Sequence, residues 1–257
     1  MGDRKQITVY LFGDSITQGL GSKKVNFSEE LGELLGSSYR IVNLAQTGTT
    51  IEYALDALRE HVPDKVTGDS IALILYGNVD AQIRPNRNGR VFPHIPKRYQ
   101  LNGMLMPRPF YSRSVAKRIW QHVDNSMRSM FAQLIRLVDG CEQWVPRDLF
   151  KARYAELLSD LERRGIQAIP CSCVYIDDRL FPGCRMEYER FNQVIYELAR
   201  EFNLQYVDLF NLLKESVERL GWDGCYNKDH FHPNGTGYEI MARALEGEII
   251  RLNSCHR

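Results

Sequence analysis

Ser15 closes the string Phe12-Gly13-Asp14-Ser15 at the end of an apolar run. A glycine there allows a tight turn, and the serine can then sit at the start of the next helix with its hydroxyl exposed. Its own N–H is placed to meet a developing oxyanion. A hydroxyl is a weak nucleophile until a base takes its proton, and the base needs a carboxylate to orient it. Asp229-His230-Phe231-His232 offers both. In Asp-x-x-His the two side chains can turn the same way, with the carboxylate on Nδ1–H and Nε2 facing a serine. His230, directly beside Asp229, has a poorer geometry for this relay and reads as a loop residue. Taken singly, each feature has a plainer reading: Ser15 as a helix N-cap, and Gly48 in Asn43-Leu44-Ala45-Gln46-Thr47-Gly48 as a loop glycine.

The elements that must carry these residues follow from hydrophobic periodicity. Five short apolar runs, Ile7–Phe12, Arg40–Leu44, Ile71–Tyr76, Ile166–Cys171 and Gln205–Val207, read as strands. Most are too continuously apolar for a half-exposed sheet and fit parallel strands covered on both faces. Phe27–Leu35, Ile51–His61, Leu149–Arg164, Glu187–Phe202 and about Gly235–Leu252 carry apolar residues three and four apart, as helices do. Alternating β and α predicts right-handed crossovers and a three-layer α/β/α sandwich with a parallel five-stranded sheet. Ligands on such sheets bind beyond the carboxyl ends of the strands. Ser15, Gly48 and the end of strand three, Gly77-Asn78-Val79-Asp80, all fall there.

These blocks together resemble the SGNH, or GDSL-type, hydrolase family. "FGDSITQG", "NLAQTG" and "DHFHPNGTGY" match its first, second and last blocks in order, and "RFNQVIYELAR" is similar to the helix before its fifth strand. The resemblance covers roughly residues 6–80 and 165–250. It implies a flavodoxin-like sheet, a nucleophilic Ser15 supported by His232 and Asp229, and no cofactor. It also implies an oxyanion hole from the Ser15 and Gly48 N–H groups and an asparagine side chain. The family's third block is Gly-x-Asn-Asp, whereas here Val79 takes the asparagine position and Asn78 comes one residue early. Asn78 is the candidate third donor if the strand end is bulged. Without it, two main-chain donors remain. Asp80 cannot donate when ionised, and it is taken with Arg84 as a candidate substrate contact.

Residues 81–145 interrupt the β/α rhythm and predict a largely helical insertion within a single domain spanning 1–257. Between Ala81 and Val123 stand nine lysines and arginines and no acidic residue, interleaved with Phe92, Tyr99, Phe110, Tyr111 and Trp120. That mixture suits an anionic sugar polymer or the phosphates of an acyl-coenzyme A, and equally a solvated cationic face or a subunit contact. Elsewhere the chain is ordinary: 257 residues, net charge +1 and 44% hydrophobic residues, which names no nucleic-acid partner. Six cysteines without zinc spacing read as free thiols, and no metal is expected. No stretch is long and apolar enough to span a membrane, and the first residues show no signal-peptide pattern, so a cytoplasmic protein is expected. The sequence thus points to a serine esterase cleaving O-acyl, foremost O-acetyl, esters on a carbohydrate. The alternative is a polysaccharide O-acetyltransferase that uses the same residues with acetyl-coenzyme A. A third reading is a non-catalytic glycan-binding protein on the same framework.

Overall fold

The computed structural model describes residues 6–21, 27–66, 68–101, 105–108 and 111–254. Phe110 and Cys255 lie outside the described residues. Strands β1 (Ile7–Gly13), β2 (Tyr39–Asn43), β3 (Ser70–Leu75) and β6 (Gln167–Pro170) form one parallel sheet in the order β2-β1-β3-β6. β1 and β3 are central and buried nearly throughout, which is why their sequences lack polar alternation. Helices α1 (Phe27–Leu35), α2 (Ile51–His61), α4 (Arg147–Arg163), α5 (Cys184–Glu201) and α8 (Gly235–Ser254) match the periodic segments closely. α1 packs on α8, while α2 packs on α4 and α4 on α5. These are the two helical groups that right-handed crossovers from a 2-1-3 order place on opposite faces.

The predicted five-stranded sheet is corrected to four strands among the described residues. The fifth run reaches the sheet only through one parallel bridge, Cys171 to Val207. Val207 N donates to Pro170 O at 3.0 Å and Ser172 N to Val207 O at 2.9 Å. Asp208 follows at once and caps α6 (Leu209–Leu220), its carboxylate accepting from Asn211 N at 3.0 Å. The chain turns helical before a strand can extend. Sequence periodicity also passed over α6 and the short α7 (Trp222–Cys225).

The segment between β3 and α4 is folded. It leaves through β4 (Ile83–Pro85) and returns through β5 (Cys141–Gln143), an antiparallel pair in which Arg84 faces Glu142. Between them lie two 3-10 turns and the 25-residue helix α3 (Val115–Asp139). Ile95, Tyr99 and Ile135 form a small core of their own there, with Phe92 and Phe131 packed on it.

The end of β3 is tightly built. Gly77 has φ +120°, and a Cβ on it would stand 2.6 Å from Cys173 Sγ. Gly77→Ala is therefore expected to cost at least about 2 kcal/mol through backbone strain and overpacking. A urea unfolding midpoint equal to that of the wild type would contradict this.

Candidate active site

Three loops at the carboxyl ends of β1, β2 and β3 meet the loop before α8. Ser15 lies in the turn after β1. The expected helix start at Ser15, and with it the N-cap alternative, is corrected here, because Leu20 N closes onto Ser15 O at 2.9 Å within that turn and the next described helix begins only at Phe27. The loop after β2 is pinned to this turn. Gln46 N donates to Gly13 O at 3.2 Å, and Thr47 N to Gln18 Oε1 at 3.0 Å. Gly48 follows with φ +75° and open space around its missing Cβ, so the left-handed backbone is what requires glycine there. Among the described residues, neither the Ser15 nor the Gly48 main-chain N–H has a protein acceptor, and both residues line one pocket.

The loop before α8 brings in the base. Ser15 Oγ lies 2.8 Å from His232 Nε2, and His232 Nδ1 lies 2.6 Å from Asp229 Oδ2. The carboxylate on Nδ1 holds the ring proton there, so Nε2 accepts from the serine hydroxyl. The other carboxylate oxygen accepts from the N–H groups of Phe231 and His232, both at 3.2 Å. This closes Asp-x-x-His into a turn that aims both side chains one way. The three residues are buried. His230 takes no part in the relay. With φ +48° its ring points away, stacks on Trp222 and meets Asp177 Oδ2 at 2.7 Å.

The end of β3 departs from expectation. Asn78 is turned into the core: its Oδ1 accepts from Val174 N at 2.8 Å and its Nδ2 donates to Leu75 O at 3.3 Å. Val79 lines the pocket in its place. The one-residue step has sent the amide to the side opposite Val79. Asp80 is also withdrawn from any substrate. It is fully buried, with Oδ1 accepting from Ile51 N at 2.9 Å and Oδ2 from Gly77 N at 3.1 Å, so it serves the start of α2 and the turn after β3. Arg84 is paired with Glu142 at 2.7 Å, lies against the Trp144 ring, and does not line the pocket beside Ser15.

The pocket beside Ser15 has a volume of about 260 Å³ and is walled mainly by Leu20, Val79, Met106, Trp144, Phe181 and Phe231. Gln82 and Arg128 add polar groups. Sequence reading passed over Arg128 and Trp144, which lie far along the chain from the ends of β1, β2 and β3. Arg128 Nε donates to Asp124 Oδ2 at 2.9 Å, and Arg98 and Arg108 share the same carboxylate. Burial opposes ionisation of Asp124, but the hydrogen bonds from Arg108 and Arg128 outweigh it and hold its carboxyl down at about 2.

Two further carboxyls are buried together beneath the site. Burial pushes Asp14 up to about 6 against the Ile16 N–H bond and the charge of His232. Burial pushes Asp80 up to about 7 against the Ile51 N–H bond, and the charge of Asp14 adds to the rise.

The profile of the GDSL-like lipase/acylhydrolase family matches residues 11–240. The chain belongs to that family. The acetylxylan esterase of Geobacillus stearothermophilus has a similar fold, at 18% identity and a TM-score of 0.57 over 94% of this chain and 93% of that one. A lipase/acylhydrolase from Enterococcus faecalis is similar at 18% identity and a TM-score of 0.56, with 94% of each chain covered. No curated protein matches the sequence.

Two outcomes follow for the family's third block in this chain. Asn78→Ala strands the buried Val174 N–H, so it should lose roughly 1–3 kcal/mol of stability while changing kcat on a soluble ester less than about threefold. A drop near the 10²–10³ expected for a lost oxyanion donor would return Asn78 to the site. For Asp80, the folded carboxyl near 7 keeps a proton that the unfolded chain releases near 4. Its contribution is fully present below about pH 4 and is lost as pH rises towards about 7, on the order of 2–4 kcal/mol. Asp80→Asn should flatten the fall in urea midpoint over that window; an unchanged slope would refute it.

Proposed function

We propose that this protein is a serine esterase that hydrolyses acyl esters through Ser15, His232 and Asp229. The relay from hydroxyl to imidazole to carboxylate, 2.8 Å and then 2.6 Å, is the observation that carries the reading. Ser15 Oγ attacks the ester carbonyl carbon as its proton passes to His232 Nε2. Asp229 stabilises the imidazolium that forms. The carbonyl oxygen becomes an oxyanion held by the Ser15 and Gly48 N–H groups. Collapse expels the alcohol, which takes the proton from His232 and leaves an acyl-enzyme on Ser15. Water then attacks this ester, giving its proton to His232, and the carboxylic acid departs as the serine recovers its own. With Val79 where the family has asparagine, the hole has two main-chain donors and no asparagine amide. A missing donor of this kind costs about 10²–10³ in rate.

The walls around Ser15 favour an ester whose acyl or alcohol part is largely apolar. The carbohydrate reading rested on the basic segment, but many of its arginines are engaged within the protein, Arg84 by Glu142 and Arg98 and Arg108 by Asp124. An O-acetylated sugar remains the second reading, favoured by Trp144 on the pocket wall as a face for ring stacking. Transfer from acetyl-coenzyme A would run through the same acyl-enzyme, and donor consumption dependent on a glycan acceptor is its signature. In this reading the chain is one three-layer, flavodoxin-like domain with residues 81–145 inserted after β3.

Hydrolysis of p-nitrophenyl esters from acetyl to octanoyl, set beside an acetylated xylo-oligosaccharide, tests both parts. Ser15→Ala should lower kcat/KM by about 10³ or more, and Asp229→Asn by about 10²–10⁴, with folding intact. Full activity in Ser15→Ala would overturn the proposal. A kcat/KM that rises with chain length supports the apolar substrate, and a preference for the acetylated sugar supports the second reading.

A further inference from the structure

Helix α3 presents an apolar face that nothing among the described residues covers. Its inward side packs on the body through Arg128, Ala132 and Ile135. Its outward side exposes Val115, Ile119, Val123, Met130, Leu134 and Leu137, the last at 85%. Trp120, 74% exposed, and Val138 widen the same stripe. At about 100° per residue these side chains fall within roughly 140° of arc, and 1.5 Å per residue makes the stripe about 35 Å long. Single exposed apolar residues are ordinary; a continuous stripe of this length marks an interaction surface.

The charges on α3 indicate what covers it. Arg113, Lys117 and Arg118 are exposed around its first turns and have no acidic partner among the described residues. From residue 113 to 123 there is no acid at all. The helix's two carboxylates are both spent inward, Asp124 on Arg98, Arg108 and Arg128, and Asp139 on Arg90 and the Val91 N–H. The outer surface therefore carries apolar side chains, one tryptophan, a few uncharged polar residues such as Ser126 and Gln133, and cations, with neither helix carboxylate turned outward. Pairing α3 with the same helix of a second copy is poorly matched in charge, because a parallel pair sets cation on cation and an antiparallel pair sets the cations against an end whose acid is turned inward. An anionic lipid surface complements it in both respects, with acyl chains for the stripe and headgroups for the cations. No helix among the described residues is long and apolar enough to cross a membrane, and the one-sided stripe of α3 suits a helix lying along such a surface.

We propose that α3 docks this protein, lying flat, on a membrane surface containing anionic lipid. Arg128, on the opposite side of the same helix, lines the Ser15 pocket. Docking therefore holds the pocket about one helix diameter, roughly 10 Å, from the headgroups. The proposal stands apart from the role of Ser15, since binding is read without turnover.

The test is flotation of the full chain with phosphatidylcholine vesicles, with and without phosphatidylglycerol, at low and high salt. Recovery with the anionic vesicles should exceed that with phosphatidylcholine alone by about tenfold or more and fall at high salt. Ile119→Glu with Leu134→Glu should abolish flotation, and Lys117→Glu with Arg118→Glu should remove its dependence on anionic lipid. Both variants leave the pocket walls untouched and should keep wild-type hydrolysis of a soluble nitrophenyl ester, which shows that they fold. Failure of the wild type to float with any vesicle overturns the proposal. So does a dimer in light scattering that the Ile119→Glu/Leu134→Glu variant dissociates, which would assign the stripe to a second copy.

Discussion

The buried carboxylate of Asp80 is the tie on which the site depends. Its two oxygens accept from Gly77 N and Ile51 N, and its carbonyl accepts from Val145 N at 3.1 Å. One residue thereby joins the end of β3, the start of α2 and the return of the segment after β5. The loop carrying Gly48 enters α2 at Ile51, so the position of a free N–H beside Ser15 rests on this tie. So does the wall at Trp144, whose N–H is held by Gln82 O two residues beyond Asp80. A buried polar group is costly without such partners, and here the partners are backbone donors from elements far apart in sequence. A carboxylate that looks available for chemistry is consumed by architecture.

The relay beside it rests on the opposite arrangement, a local one. Asp229 and His232 are three residues apart, and main-chain bonds from Phe231 and His232 to the Asp229 carboxylate hold that turn through local contacts alone. Tertiary structure has only to carry the turn to Ser15. It does so by packing α8 on α1 and by Tyr238, whose hydroxyl donates to Leu20 O at 2.8 Å in the serine turn. The His230 ring, stacked on Trp222 and bound to Asp177, anchors the outer side of the same loop. Burial opposes ionisation of Asp177, but hydrogen bonds from Arg179 and His230 hold its carboxyl down at about 2, so the anchor stays charged over the neutral range.

The segment after β3 shows how charge along a chain and charge in space diverge. Its cations meet their acids from later in the sequence: Arg84 meets Glu142, Arg90 meets Asp139, and Arg98 and Arg108 meet Asp124. What remains outward is a smaller set of cations around the exposed stripe of α3. The segment thereby supplies both a wall of the pocket and an external face, on opposite sides of one helix.

Much of this was legible in the sequence, for a physical reason. Gly-Asp-Ser, Asp-x-x-His and the Gly48 loop carry local geometry, and hydrophobic period marks β1, β2, β3, β6 and the major helices because strands and helices bury their residues at different intervals. Those signals placed Ser15, His232, Asp229 and Gly48 at one edge of a parallel sheet. Tertiary structure alone decided the rest. Whether Asn78 faced the pocket or the core depended on the backbone path after β3 and on an acceptor-seeking N–H at Val174, 96 residues away. Whether Arg84 was free depended on Glu142 across an antiparallel pair. The fifth strand shrank to a bridge because Asp208 caps a helix immediately after Val207. A chain pattern records how a residue can turn; which partner it turns toward is set by residues that only folding brings near.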